Sequence, residues 1–432
     1  MTPDPQPVAN NVLFAGVSVV RDPWLLAMCA ARVLTYAIFM VYAACLAVLR
    51  EQWHMSASQA GTISGGFMFG YAISLVIFSW LAQRFGAKSM FVLSALLTAV
   101  AALAFGLFAR SYTSALVLYT FTAAMQGGTY PPAIMLFADR YRPTQRGSAV
   151  GFLIASTSVG YAFSLLLSGA LLWHGGYELA FTVTGCLPLA GAIISCWVLR
   201  HTPNLVHKSV GGTTTVMALR GNANAQRLIL GYVSHCWEVL GMWSWTPAFL
   251  TASLTLSGVI SIQAAAFGAY LSAVLHVGGA LASSSMGWVS DRFGRRRLLL
   301  VLASASTMLS FILGWLVTWP IAILIVVALL YAFTSLGDSP VLSTALTEAV
   351  APAHLGSALA LRSLLGFAAG AVSPIVFGLV LDMSNASGGS PTIWGWAFVA
   401  LGLGGMGAVW CAHGLTAVPE QTASHYTRVP YR

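Results

Sequence analysis

Stretches of about twenty mostly apolar residues recur along this chain from Trp24 to Leu415, each long enough to cross a hydrocarbon layer of about 30 Å as a helix. No other feature restricts the fold as much. The runs are continuous and lack period-two alternation, so helices rather than barrel strands must carry the backbone through lipid. With 58% hydrophobic and 7% charged residues among 432, the chain also has too few polar groups to coat a soluble globule. The reading predicts an all-α membrane protein of twelve transmembrane helices, at 24–49, 58–82, 89–109, 113–138, 147–172, 178–199, 228–252, 261–286, 298–318, 320–347, 356–382 and 392–415.

Basic residues set the expected orientation. If both termini are cytoplasmic, seventeen of the 20 Lys and Arg fall on or near the cytoplasmic face; only Arg50 and Arg110 face outward, and Arg32 lies within a span. The expected location is therefore the inner or plasma membrane, crossed many times. The net charge of +9 follows from these loops and calls for no nucleic acid, although anionic lipid is a natural neighbour. No cleaved presequence is expected, and the six cysteines, all in predicted spans, read as buried free thiols. The segments expected are an N-terminal tail at 1–22, a six-helix bundle at 23–199, a polar linker at 200–227, a second bundle at 228–415 and a C-terminal tail at 416–432.

The two halves repeat each other. Trp80-Leu-Ala-Gln-Arg-Phe-Gly-Ala-Lys88 matches Trp288-Val-Ser-Asp-Arg-Phe-Gly-Arg-Arg296 at an offset of 208. Gly128, Pro131 and Asp139 correspond to Gly337, Pro340 and Glu348 at 209, and Gly147-Ser-Ala149 to Gly356-Ser-Ala358. Agreement at so many positions points to duplication.

The loop from Gly287 to Arg297 resembles the loop signature of the major facilitator superfamily, and the likeness extends over nearly the whole chain. That resemblance implies two pseudo-symmetric six-helix bundles with a cavity between them near the membrane midplane. It also implies a cytoplasmic gate, carried here by Arg84, Asp139 and Arg146 in the first half and by Asp291, Arg292 and Glu348 in the second. The first copy departs from the family pattern, carrying Gln83 where Asp is usual.

Ionisable side chains inside hydrocarbon are costly and default to functional roles. Arg32, His235, Glu238, His276 and Asp338 qualify. In the family the first, fourth, seventh and tenth helices line the cavity, so Arg32 and Glu238, at matching depth by the repeat, are expected to oppose each other. Helical spacing places His235, Glu238, Met242 and Trp245 on one face, with Arg32 and Tyr36, then Thr122, Gln126 and Tyr130, then Tyr331, Ser335 and Asp338 on others. These residues make up the expected substrate site, with Glu238, Asp338 and His276 as proton carriers. Arg362, about six residues into its predicted span, is expected to snorkel. The runs Gly127–Pro132 and Gly337–Pro340 are expected to interrupt corresponding helices.

No metal, cofactor or catalytic constellation is expected, and the spaced glycines at 402–407 sit in an apolar span with no strand before them. The chain therefore reads as a secondary transporter, expected to work as a monomer by alternating access. The leading substrate class is a small organic anion held by Arg32, with a proton as the candidate coupling ion. Two readings stay open beside it: efflux of a hydrophobic or cationic compound stacked on Trp237, Trp243 and Trp245, and a membrane sensor or assembly factor that transports nothing.

Overall fold

The computed structural model describes residues 21–206, 219–386 and 392–416, so nearly all of both predicted tails and part of the predicted linker lie outside the described residues. Helix follows helix, with no strand among the described residues. The helices are α1 (Pro23–Tyr36), α2 (Val41–Gln52), α3 (Ala57–Phe85), α4 (Ala87–Phe108), α5 (Tyr112–Gln126) and α6 (Pro131–Arg140). They continue as α7 (Pro143–Leu199), α8 (Ala223–Leu256), α9 (Ser261–Phe293), α10 (Arg295–Leu313), α11 (Ile321–Ala349), α12 (Pro352–Ser384) and α13 (Gly395–His413). Gly175 and Gly176 leave helical geometry and divide α7 into two joined helices. Each predicted span overlaps helix, and nine helical stretches among the described residues are long and apolar enough to cross a membrane.

Local chemistry explains the ends. Ser56 and Gln59 form a reciprocal cap at the start of α3, and Asn222 accepts from Ala225 N at the start of α8. The duplicated loop motif appears as one backbone shape used twice: Gly86 (φ 92°, ψ 146°) joins α3 to α4, and Gly294 (φ 86°, ψ 138°) joins α9 to α10. A side chain is strained at such a positive φ, so the motif needs its glycine.

Three details differ from expectation. The first span is broken at residues 37–40, between α1 and α2. The fourth is broken by a three-ten turn at Gly127–Thr129, while α11 runs unbroken through Pro340. One proline removes a single hydrogen bond, whereas Gly-Gly-Thr-Tyr-Pro-Pro removes two donors and adds two weak helix formers. Third, of the six cysteines, all free, Cys186 is exposed and only Cys45, Cys236 and Cys411 are buried.

Helices α1, α3, α4, α5 and α7 pack mainly on one another, as do α8 to α13. The two groups meet where α3 lies on α12, α7 on α9 and α2 on α8. Lipid offers apolar surface as readily as a neighbouring helix does, so close contact comes from small residues. A Cβ placed on Gly61 would lie 2.2 Å from Pro374 O, on Gly65 2.3 Å from Ala371 O, and on Gly378 2.3 Å from Ala57 O. At the same end the Asp382 carboxylate accepts from the N–H groups of Ala57 (2.7 Å) and Ser58 (2.8 Å), the first turn of α3. At the end that carries Arg84, Arg146 and Arg292, by contrast, Gly147, Gly151, Gly287 and Gly356 face open space. The two halves thus meet backbone to backbone at the glycine seam, whereas these glycines at the arginine-rich end are uncovered.

Asp22 anchors the open end of α1. Its carboxylate accepts from Trp24 N (3.0 Å) and from the Tyr141 hydroxyl (2.6 Å), and Arg140 Nε lies 3.3 Å away. Burial opposes the charge, but the Tyr141 and Arg140 contacts outweigh it and hold the carboxyl below its ordinary 3.8. A depressed value means the contribution is complete at neutral pH and lost as pH falls below 3.8 through the folded value. Asp22→Ala is expected to lower stability by about 1 kcal/mol at pH 7. The gap to the native protein in a thermal melt should close in strong acid; a gap that persists there would show that the carboxylate's charge is not what stabilises.

Candidate functional site

Arg32 lies nine residues into α1, about 14 Å from its start at 1.5 Å per residue, and is only 6% exposed. Its Nε donates to Thr157 Oγ1 of α7 (2.6 Å), Nη1 to Thr129 O of the three-ten turn (3.3 Å) and Nη2 to the Tyr36 hydroxyl (3.1 Å). The guanidinium also lies 4.5 Å from the ring centre of Tyr36 and 5.2 Å from that of Tyr130. Every acceptor is neutral; among the described residues no carboxylate pairs with it.

The break after Tyr36 opens the backbone beside this guanidinium. Side chains from other helices satisfy the freed groups: Tyr119 Oη donates to Ile38 O and Phe39 O, and Ser164 Oγ donates to Ala37 O and accepts from Met40 N. Irregular backbone inside a membrane is tolerated where protein buries it or where it lines a cavity. A pocket at this break takes Phe39, Met40 and Ser64 from one half and Trp243 and Ser244 from the other.

Aromatic rings carry the site across the two halves. The Tyr36 and Tyr71 hydroxyls are 2.8 Å apart, and Tyr71 lies 5.2 Å from Phe367 of α12. Tyr161 of α7 lies 5.2 Å from Trp243 of α8 and 5.8 Å from His276 of α9.

The second half supplies a buried arginine where a snorkelling one is expected. Arg362 is 9% exposed, with its guanidinium 4.1 Å over the Tyr232 ring and its Nη1 donating to Ser343 Oγ (2.9 Å). The snorkelling expectation fails because α12 starts at Pro352, four residues before the predicted span, which puts Arg362 ten residues, about 15 Å, into the helix.

The expected opposition of Arg32 and Glu238 is absent. Glu238 turns into its own half, where Ser306 Oγ of α10 donates to both of its carboxylate oxygens at 3.0 Å. His235, one turn earlier, faces α11, and its Nδ1 lies 2.6 Å from Asp338 Oδ1, close in distance but not aligned as a hydrogen bond. Trp245 is packed on Phe377 and donates to Pro374 O, and the Tyr331 hydroxyl donates to Ser310 Oγ. Thr122 bonds only its own helix, at Leu118 O, while Gln126 Nε2 reaches Thr35 O and ties α5 to α1 near Arg32. Arg32, Tyr36, Tyr130 and His276 thus gather at the junction, whereas Glu238, Trp245, Tyr331 and Thr122 serve packing around it. Thr157, Tyr71, Tyr161, Tyr232 and Arg362 belong with the first group, and none of them is among the expected site residues.

Among the described residues, Arg84, Arg146, Asp291, Arg292 and Glu348 make contacts within their own halves. Arg84 stacks near Trp80 and Phe85, Arg146 donates to Ala138 O, and Arg292 lies over Trp288. Asp139 is exposed at the same end. Asp291 and Glu348 converge on Arg295, at 2.5 and 2.8 Å, all within the second half. Arg295 had not been singled out, and the first-half counterpart position holds Ala87.

Comparison with known proteins fits this geometry. The family model described as Major Facilitator Superfamily matches residues 28–282, and that described as Sugar (and other) transporter matches 257–426. The chain is 23% identical over 363 residues to a protein of Cupriavidus necator described as "Probable sulfoacetate transporter", covering 78% of this chain and 82% of that one. It is 26% identical over 261 residues to the cis,cis-muconate transport protein of Acinetobacter baylyi, covering 57% and 61%. Among solved structures, a bacterial homolog of the human lysosomal transporter Spinster, inward-facing and unoccupied, superposes with a TM-score of 0.70 at 19% identity, covering 91% of this chain and 96% of that one. A nucleoside transporter gives a TM-score of 0.71 at 12% identity, with 90% and 98% covered.

Proposed function

This chain belongs to the Major Facilitator Superfamily, and from that premise we propose that it carries a small organic anion through the membrane by alternating access, with Arg32 holding the anion. As a member of that family it is a multi-pass membrane transporter of small solutes and not an enzyme. The observation that carries the anion reading is Arg32 itself: a buried guanidinium, at the junction of the halves, with neutral partners only. A buried charge without a counter-ion is strongly destabilising, and a substrate carboxylate or sulfonate gripped by two hydrogen bonds relieves it. Relatives named for sulfoacetate and muconate support the same class. Against efflux of a cation stands the inward turn of Glu238 and the packing of Trp237 and Trp245, which leaves Trp243 as the exception among the three tryptophans at the junction.

The arginine-rich end is the cytoplasmic one in this reading, which makes the protein an inward-open carrier in the inner membrane with both termini cytoplasmic; the bias of basic residues toward that end supports the reading. Flux into proteoliposomes tests it. Sulfoacetate or cis,cis-muconate should accumulate when the outside is more acidic; transport of organic cations with no carboxylate or sulfonate flux overturns the proposal.

The paired His235 and Asp338 are the candidate proton carriers, with Glu238 and His276 as further ionisable groups. A gradient of one pH unit stores about 1.4 kcal/mol per proton, enough for about tenfold accumulation of a substrate moving with one extra proton. Asp338→Asn is expected to reduce that ratio to unity while leaving exchange of labelled for unlabelled substrate intact. Undiminished accumulation in the variant removes Asp338 from coupling.

A further inference from the structure

Arg362 has the features that make Arg32 a binding group, and it comes from the opposite half. It is more than nine-tenths buried and stacked on Tyr232, and among the described residues it is hydrogen-bonded only to the neutral Ser343 and its Nε has no partner. The buried acids of the same half are engaged elsewhere, Asp338 beside His235 and Glu238 with Ser306. A guanidinium presents five N–H donors, and one held for structure inside a membrane is expected to be matched by a carboxylate or by backbone carbonyls. Among the described residues neither contacts Arg362. Arg32 and Arg362 lie nine and ten residues into α1 and α12, and Tyr71, whose hydroxyl is 2.8 Å from that of Arg32's partner Tyr36, lies 5.2 Å from Phe367 of α12.

Resting on the anion reading above, we infer that the substrate carries two anionic groups, one held by Arg32 and the other by Arg362. A monoanion would neutralise one guanidinium and leave the second uncompensated in a medium of low dielectric; a dianion neutralises both. Two carboxylates, or a carboxylate with a sulfonate or phosphate, share that chemistry. Because the two arginines belong to different halves, such a substrate also joins the halves through its two charges.

The experiment measures binding to the purified full-length chain by calorimetry. The probes are malonate, succinate, glutarate and adipate, their analogues with one carboxylate replaced by sulfonate or phosphate, and the monocarboxylates of matching length. At least one dianion should bind about tenfold or more tightly than its matched monoanion. Arg362→Gln should bring the two to equal affinity by weakening the dianion, Arg362→Lys should retain part of the preference, and Arg32→Gln should lose both ligands. The sulfonate and phosphate arms identify the second group. Equal affinity for mono- and dianions in the native protein overturns the inference, as does a preference that survives Arg362→Gln. If either occurs while Arg32→Gln still loses monoanion binding, the anion reading stands alone; if Arg32→Gln binds anions as the native protein does, that reading falls too. Should Arg362→Gln fail to fold, Ser343→Ala frees the guanidinium from its one tether and tests the same contact through an altered ratio of the two affinities.

Discussion

Arg32→Gln should abolish uptake of organic anions into vesicles, raising KM by about 100-fold or more. Removing one member of a buried, hydrogen-bonded charge pair costs about 2–5 kcal/mol, and each 1.4 kcal/mol is a factor of about ten. Glutamine keeps a planar amide near Thr157, Tyr36 and the Thr129 carbonyl, so the shell that holds Arg32 has a replacement partner and folding is not the limiting loss. Arg32→Lys offers a sharper comparison. It keeps the charge but not the fork that matches a carboxylate, and it cannot span the three neutral acceptors in one plane. Partial uptake by the lysine variant, beside none for glutamine, fits a charge that the substrate must meet. Initial rates of labelled sulfoacetate uptake at equal protein density decide it: native KM and maximal rate in Arg32→Gln would remove Arg32 from the binding site.

The sequence made Arg32 legible because depth along a helix can be counted, and an arginine that far from either interface has few structural explanations. Arg362 was illegible for the same reason turned round: its depth depends on where α12 begins, and Pro352 as the first helical residue moved that start by one turn. The repeat showed in the spelling of the two loops, and Gly86 and Gly294 supply its physical basis in a shared positive φ. Helical spacing put His235 and Glu238 on one face, yet a face about 100° wide meets more than one neighbour in a bundle. His235 reaches α11 and Glu238 reaches α10, a choice that only packing makes. The break between α1 and α2 has no glycine or proline to announce it. It exists because Tyr119 and Ser164, distant in sequence, satisfy the carbonyls and the amide that the break releases.

Gly61→Val is expected to prevent the seam between α3 and α12 from closing and to lower transport by about 50-fold or more, through the energetics of overpacking. A Cβ at Gly61 would sit 2.2 Å from the Pro374 carbonyl oxygen, and the next contacts, Pro374 C and Ile375 Cα, are backbone too. No rotamer change relieves a clash with backbone, so the helices must separate. Overpacking costs about 1–3 kcal/mol, while alternative conformations of one protein commonly differ by a few kcal/mol. The penalty therefore suffices to depopulate the state sealed at this end. The Asp382 carboxylate on the first turn of α3 opposes that opening, but a charge at a helix N-terminus contributes about 0.3–1 kcal/mol, less than the clash. Conformation can be read apart from transport by placing a cysteine at Ser58 and labelling it with an impermeant maleimide from the sealed side. Gly61→Val should raise the labelling rate, and Gly147→Ala, which faces open space at the other end, should not. Labelling of Gly61→Val at the native rate, together with native transport, would mean that the seam is not a surface the two halves must close in each cycle.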